Sequence, residues 1–590
     1  MSDDTRNISK IEQIKTIIPY LAKYKKKLFL GLFFVMMTNL VGAAMPLVIR
    51  NAVDHIEKHA DMATLSWYSL GILAVALLEG VFLYAMRQTL IVVSRYVEYE
   101  LRNDFFRHLQ RMSLRFFHQH PTGDLMARAT NDLNAVRSLV GPALMYFCNT
   151  SMLLLWTIGV MLYMSPGLTL WALLPLPVTG FFVYKMIGRI HSIYRAVQEK
   201  YSDITTLTQE NISGIRVVKS YIQEDFEKQR FALLNKDYIS QNLSMAKIRG
   251  LLWAGTGLFS GIGVLLVLWV GGLYVVEGQL TIGTLTAFFT LQTWLAWPMI
   301  SLGWVLNMTE QGIVSMARLN EILQTPPEIE DAPNVRRDIS RVRGDIEFRN
   351  VSFAYDDNTP VLQDITFSLR AGQTMAIVGH TGAGKSTLLN LIPRLLDIQE
   401  GEILIDGIPI RMLPLEVLRR NIGYVPQETF LFSDTIRENI LFGAGNSSDG
   451  ALEEVAKVAR IYDDISEFDK GFETMLGERG INLSGGQKQR TAISRAIIRK
   501  PSILLLDDAL SAVDTYTEEE ILKRLRKEMA GTTSIIVSHR ISTVKNADKI
   551  IVLENGQIRE RGTHHSLLES NGIYAELHRK QLLEESLEEL

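Results

Sequence analysis

At 590 residues the chain exceeds what one hydrophobic core supports, and its net charge of −3 gives no sign of a nucleic-acid partner. Mean hydropathy is positive, at +0.11, although 21% of residues are charged, as a chain half in the membrane and half in water would average. The single cysteine, Cys148, excludes an internal disulfide framework and a cysteine-built zinc site.

The first residues, Met1-Ser2-Asp3-Asp4, carry no signal-peptide pattern, so insertion is expected to be directed by the first membrane span. Across 10–24, apolar Ile11, Ile14, Ile17, Ile18 and Leu21 alternate with charges, which predicts an amphipathic helix on the inner membrane surface within a cytoplasmic segment 1–27. A helix needs about 20 apolar residues to cross the hydrocarbon layer. Residues 28–49 are uncharged, and 62–94 are broken only by Glu79 and Arg87. Residues 139–184 are uncharged for twice the length of one span, with Ser165-Pro166-Gly167 as a turn between two. Residues 251–276 and 278–309 are again uncharged, separated by Glu277. The sum is six spans in a transmembrane domain 28–323.

Lysine and arginine crowd the N-terminus, 95–137 and 185–249, and are sparse in the three opposite loops. Both termini are therefore expected in the cytoplasm. The two long connections are charged, helically patterned and poor in Pro and Gly, which predicts transmembrane helices extended into the cytosol as stalks. Glu79 is an ionisable residue within a span and so a candidate for a substrate cavity. Trp294 and Trp297, with Trp304, Phe288 and Phe289, suit flat amphipathic cations, and a lipid-facing belt explains them equally.

Residues 324–343 are polar, proline-bearing and unpatterned, a linker; from Gly344 to 590 short β-branched runs alternate with helical patterns, an α/β domain. Met375 to Val378 reads as a buried strand, followed at once by Gly379-His380-Thr381-Gly382-Ala383-Gly384-Lys385-Ser386-Thr387 and a helix. Strand, glycine loop and helix together form a phosphate loop: backbone N–H groups curl around phosphate oxygens, Lys385 reaches the β- and γ-phosphates, and Ser386 ligates Mg²⁺. A second buried strand ends in Asp507-Asp508, one carboxylate to hold Mg²⁺ and one to address the attacking water. Between them Leu483-Ser484-Gly485-Gly486-Gln487 opens another helix as a second anion site. One nucleotide does not need two such sites from one chain, which points to two chains sharing nucleotides.

These residues resemble the ATP-binding cassette exporters of half-transporter type, close to bacterial multidrug and lipid exporters, over nearly the whole chain. Leu483 to Gln487 matches the family's signature motif. The resemblance implies that Tyr355 stacks on adenine, that Gln427 contacts Mg²⁺ and the membrane domain, and that His539 is the switch histidine beside Asp508. Ser484, Gly485, Gly486 and Gln487 would then bind the nucleotide of a partner, and Ser511-Ala512-Val513-Asp514 would cross the dimer interface. Thr122-Gly123-Asp124-Leu125, Asn131-Asp132 and Glu210-Asn211 look like the exporters' cytoplasmic helices. The fold implied is a six-helix membrane α-helical exporter bundle with long cytoplasmic helices, joined to an α/β P-loop ATPase domain.

The function expected is ATP- and Mg²⁺-dependent export of hydrophobic or amphipathic compounds, drugs or lipids, from the cytoplasmic membrane. Family hydrolytic sites carry glutamate where this chain has Asp508, which implies a heterodimer in which this chain's own site is slow. His539, intact, keeps a homodimeric lipid flippase in play. An ATP-gated or regulatory subunit and an import-type member share the same fold.

Overall fold

A computed structural model describes residues 10–588 apart from 59–60, 356–358 and 445–447, so residues 1–9 of the expected N-terminal segment lie outside the described residues. The chain divides into two compact units. The first comprises the residues up to Leu109 together with Thr122–Thr325, and the second Gln110–Pro121 with the residues from Pro326 onward.

In the first unit, five of the described helices are long and apolar enough to cross a membrane: α1 (Lys25–Glu57), α2 (Met62–Leu109), α3 (Thr122–Met164), α4 (Pro166–Ser213) and α5 (Glu224–Val276). The sixth expected span is two helices, α6 (Ile282–Trp294) and α7 (Ala296–Leu323), which meet at Leu295. Pro298 is the cause: it has no N–H for the carbonyl of Trp294, and its ring crowds that carbonyl. The turn expected between the third and fourth spans is at Ser165, whose backbone is extended and whose Oγ accepts the Leu168 N–H at 3.4 Å, with Pro166 in the first helical position. α3 widens to π turns at Arg128–Asp132 and Leu139–Ala143; the second contains Pro142, whose missing N–H disfavours regular α pairing.

At 48 and 53 residues, α2 and α5 reach roughly 70 and 80 Å, more than twice the hydrocarbon thickness. The long connections are therefore helical stalks, each turned by a short helix at Leu114–Gln119 or Ile215–Ser220. Polar pairs tie the bundle: Asn39 Nδ2 donates to Asn149 Oδ1 at 2.9 Å, and the Thr150 and Ser301 hydroxyls are 3.0 Å apart. The N-terminal helix forms in two pieces, Lys10–Lys15 and Ile18–Lys23, with Pro19 at the start of the second. Gln13 and Ile17 are buried, while Ile14 and Ile18 are exposed. Gln13 turns inward because its Oε1 accepts the Asn320 Nδ2 at 2.6 Å.

The second unit holds two sheets. β1 (Ile346–Ala354), β2 (Pro360–Leu369), β4 (Glu400–Ile405) and β5 (Ile408–Pro409) form an antiparallel sheet ordered β2-β1-β4-β5. β3 (Thr374–Val378), β6 (Ile422–Val425), β7 (Ile503–Asp507), β8 (Thr533–Val537), β9 (Lys549–Glu554) and β10 (Gln557–Gly562) form the other, ordered β10-β9-β3-β8-β7-β6. The five strands β9 to β6 are parallel and buried on both faces, as their unbroken apolar runs require. Phe348, Phe367, Ile377 and Leu388 belong to the core on one face, and Leu504, Leu506, Ile493 and Ile521 to the core on the other. The short helix Leu114–Gln119 belongs here: Ser113 Oγ donates to Glu328 Oε2 at 2.7 Å and Leu114 packs on the first of these cores.

Candidate active site

The site forms where β3 ends. Residues 379–384 turn the strand into α8 (Lys385–Leu391), with Gly382 and Gly384 at φ of +85° and +96°, a conformation that costs a side-chain-bearing residue and not glycine. No side chain caps α8, which leaves the start of the helix open to a ligand. Lys385 is buried and donates to the carbonyls of Gly379 and His380, both at 2.9 Å. Burial lowers its pKa, against the pull of Asp507 and Asp508.

A cleft of about 180 Å³ opens at this point, lined by Thr381, Gly382, Gly384, Lys385, Ser386 and Thr387 of the loop with Gln427, Asp507, Asp508 and His539. Four segments spread over more than 150 residues of sequence thus converge, because β3, β7 and β8 are neighbours and their C-terminal ends share one edge. Asp507 ends β7. Burial raises its carboxyl above the usual range, Ser386 opposes this with a hydrogen bond, and its Oδ1 is buried with no hydrogen-bond partner. Burial, then the Lys385 charge, lower the pKa of His539, which keeps the imidazole neutral near pH 7. Asp508 follows Asp507 with its backbone at φ +48°, and its N–H donates to the Val537 carbonyl at 2.9 Å.

Tyr355 is joined to the loop through its hydroxyl, 3.2 Å from Thr387 Oγ1, and stands edge-on to Phe353. Gly379 is buried and Ala383 packs in the core, while His380 is exposed on the loop. The signature residues Ser484, Gly485, Gly486 and Gln487 are not among the residues lining this cleft. They open α9 (Gly485–Ile497) with a capping box: Ser484 Oγ accepts the Gln487 N–H at 3.3 Å, and Gln487 Oε1 accepts the Ser484 N–H at 3.0 Å.

Two residues that line the cleft, Val361 and Val537, lie outside the set expected from the sequence, since isolated valines carry no motif. Tyr424, in β6 beside β7, is a half-buried phenol whose hydroxyl donates to Asn390 Oδ1 at 3.0 Å and whose pKa is pushed up by burial and then by Asp507. In the membrane unit, Glu79 points at Gly42 of α1, where a Cβ would lie 3.3 Å from its Oε1. Trp294 packs against the cluster of Met161, Leu168 and Phe288, and Trp297 is exposed.

Comparison with known proteins agrees with both units. The family description "ABC transporter transmembrane region" matches residues 28–299, and "ABC transporter" matches 362–511. The chain is 38% identical to an uncharacterized ABC transporter ATP-binding protein, YknU, of Bacillus subtilis, over 96% of this chain and 97% of that protein. It is 35% identical to an ATP-dependent lipid A-core flippase of Syntrophus aciditrophicus over 98% and 96%, and 36% identical to the multidrug resistance-like ATP-binding protein MdlA of Escherichia coli over 92% of each. The structure of a bacterial Atm1-family ABC exporter with ATP bound is similar at a TM-score of 0.79 and 29% identity, covering 94% of this chain and 99% of that one.

Proposed function

For a chain that belongs to the ABC transporter family and joins a multi-pass membrane region to a transport-coupled ATPase, we propose export of hydrophobic or amphipathic compounds as half of a dimer. The carrying observation is the separation of the two anion sites. The cleft gathers the glycine loop, Gln427, Asp507, Asp508 and His539 without any signature residue. A nucleotide held there by Lys385 and stacked on Tyr355 is closed over by the partner's signature segment, and this chain's Ser484 and Gly485 do the same for the partner. The exposed tip of the second stalk supports two chains as well: Ile212, Val217, Tyr221 and Ile222 are exposed there, an apolar set that an ATPase unit of the other chain would cover.

Ser386, Gln427 and Asp507 would hold Mg²⁺. The partnerless, buried Asp507 Oδ1 suits a cation, since a buried carboxylate oxygen is costly without a partner. When bound, the ion neutralises charge on the transferred phosphate. Asp508 addresses the attacking water and His539, neutral, hydrogen-bonds the terminal phosphate. The lysine- and arginine-rich stalks support a cytoplasmic position for both termini and the ATPase unit. Glu79, Trp294 and Trp297 are the proposed substrate-path residues.

The partner we favour is a different half-transporter. Asp508 is one methylene shorter than glutamate, which withdraws the carboxylate by about 1.5 Å from the water it must reach. Purified alone in lipid, the chain is expected to turn over ATP slowly, Asp508→Glu to raise that rate several-fold, and a partner with glutamate there to restore full activity. A lone chain that transports at a rate indifferent to Asp508→Asn overturns the heterodimer. The second reading, a homodimeric lipid flippase, is favoured by the 35% identity to proteins of that name and by His539 in the cleft.

A further inference from the structure

Gln489 is a buried amide on α9 that does not line the cleft. It follows Gly485 by four residues and Gly486 by three, so the three share one face of the helix. That face lies on the loop 508–512. A Cβ on Gly486 would come within 2.9 Å of the Ala512 carbonyl oxygen, and one on Gly485 within 3.2 Å of the Ala512 Cβ. Both ends of the Gln489 amide are used on the same loop: Nε2 donates to Ser511 Oγ at 3.0 Å, and Oε1 accepts the Ala512 N–H at 3.0 Å. The Ser511 hydroxyl in turn donates to the Asp508 carbonyl oxygen at 3.0 Å. Asp508 itself is held at φ +48°, a conformation that persists only where the surroundings enforce it.

We propose that Gln489 is a positioning residue for hydrolysis: it locks the 508–512 loop, and with it the Asp508 carboxylate, to the helix that carries the signature segment. The inference rests on the reading of Asp508 as the group that addresses the attacking water. It adds that α9 and Asp508 move as one piece, so the hydrolytic geometry in this chain's cleft follows the engagement of its signature on the partner's nucleotide. Glutamine suits this place because one side chain supplies both the donor for Ser511 and the acceptor for Ala512. Glutamate keeps only the acceptor, and leucine neither.

The test uses the full-length chain purified alone in lipid, where every hydrolytic site is its own. Turnover and KM are measured for Gln489→Leu, Gln489→Glu and Asp508→Asn, with a thermal melt and a fluorescent-ATP titration. Expected are a kcat roughly tenfold lower for leucine and an intermediate loss for glutamate, with KM and ATP affinity within about twofold of wild type. A wild-type kcat in Gln489→Leu beside an inactive Asp508→Asn overturns this inference alone. A KM that rises together with a lowered melting temperature also overturns it, since that marks a merely structural amide. Full activity in Asp508→Asn overturns the inference together with the reading it rests on. If the leucine variant does not fold, the near-isosteric glutamate variant decides by the same two measurements.

Discussion

Two helices in the ATPase unit begin at glycine-led turns, α8 at Lys385 and α9 at Gly485, and they are finished differently. α8 has no side-chain cap; its preceding glycine is left-handed, and its first residue, Lys385, is buried against the loop carbonyls. Its N–H groups are left for a ligand. α9 caps itself through Ser484 and Gln487, and Ser484 and Gly485 are exposed. The first start lines its cleft with residues of one chain. The second is a satisfied, outward platform whose N-terminal dipole can add to a nucleotide held elsewhere.

The largest expected effect breaks the first start: in the chain purified alone in lipid, Lys385→Ala should lower ATP turnover about a hundredfold, as loss of a charge-stabilising donor does, with the melting temperature held within a few degrees. Gly486→Val should strike the second start without the first. Crowding Ala512 should cut turnover about tenfold, while a fluorescent-ATP titration finds affinity at this chain's own cleft within about twofold. Ser484→Ala removes the cap, at about 1 kcal/mol, together with the hydroxyl offered to the partner's nucleotide, and should lower the melting temperature by a few degrees. The smallest effect is a pH dependence. Because burial lowers the His539 pKa below its ordinary value, the unfolded chain binds the extra proton first as pH falls through the range just below 6.5. Stability should therefore decline across that window and the ATPase rate should fall only below it, and a melt series on His539→Gln should lack the same share of the decline.

The parts of this comparison that were legible in the sequence are those whose chemistry is local. A glycine loop between strand and helix, two acids ending an apolar strand and a signature segment each declare themselves in a few consecutive residues. Span positions were legible because lipid demands length and apolarity, and the stalks because the helical pattern ran on past the membrane. What was not legible depends on distant neighbours. Gln13 turns inward for Asn320, some 300 residues away. Gln489 looked like one more polar residue in a helix until Ser511 and Ala512 were brought beside it. Pro298 stood in plain view, and its effect on the last span follows from a missing donor that the hydropathy of 278–309 does not register.

The grouping of Gln110–Pro121 with the residues beyond Pro326 has a consequence for how the polypeptide comes into being. That dozen residues leaves the ribosome some two hundred residues ahead of the strands and helices on which Leu114 and Ser113 will rest. At a synthesis rate of about 5 to 20 residues per second, the gap is on the order of tens of seconds. Through that interval Leu114 belongs to a half-made chain whose apolar bed does not yet exist. An ATPase unit expressed from Pro326 alone meets the converse problem, since the hollow that receives Leu114 is then open to water and to other copies. Co-expression with residues 110–121 as a separate peptide is the natural way to close it.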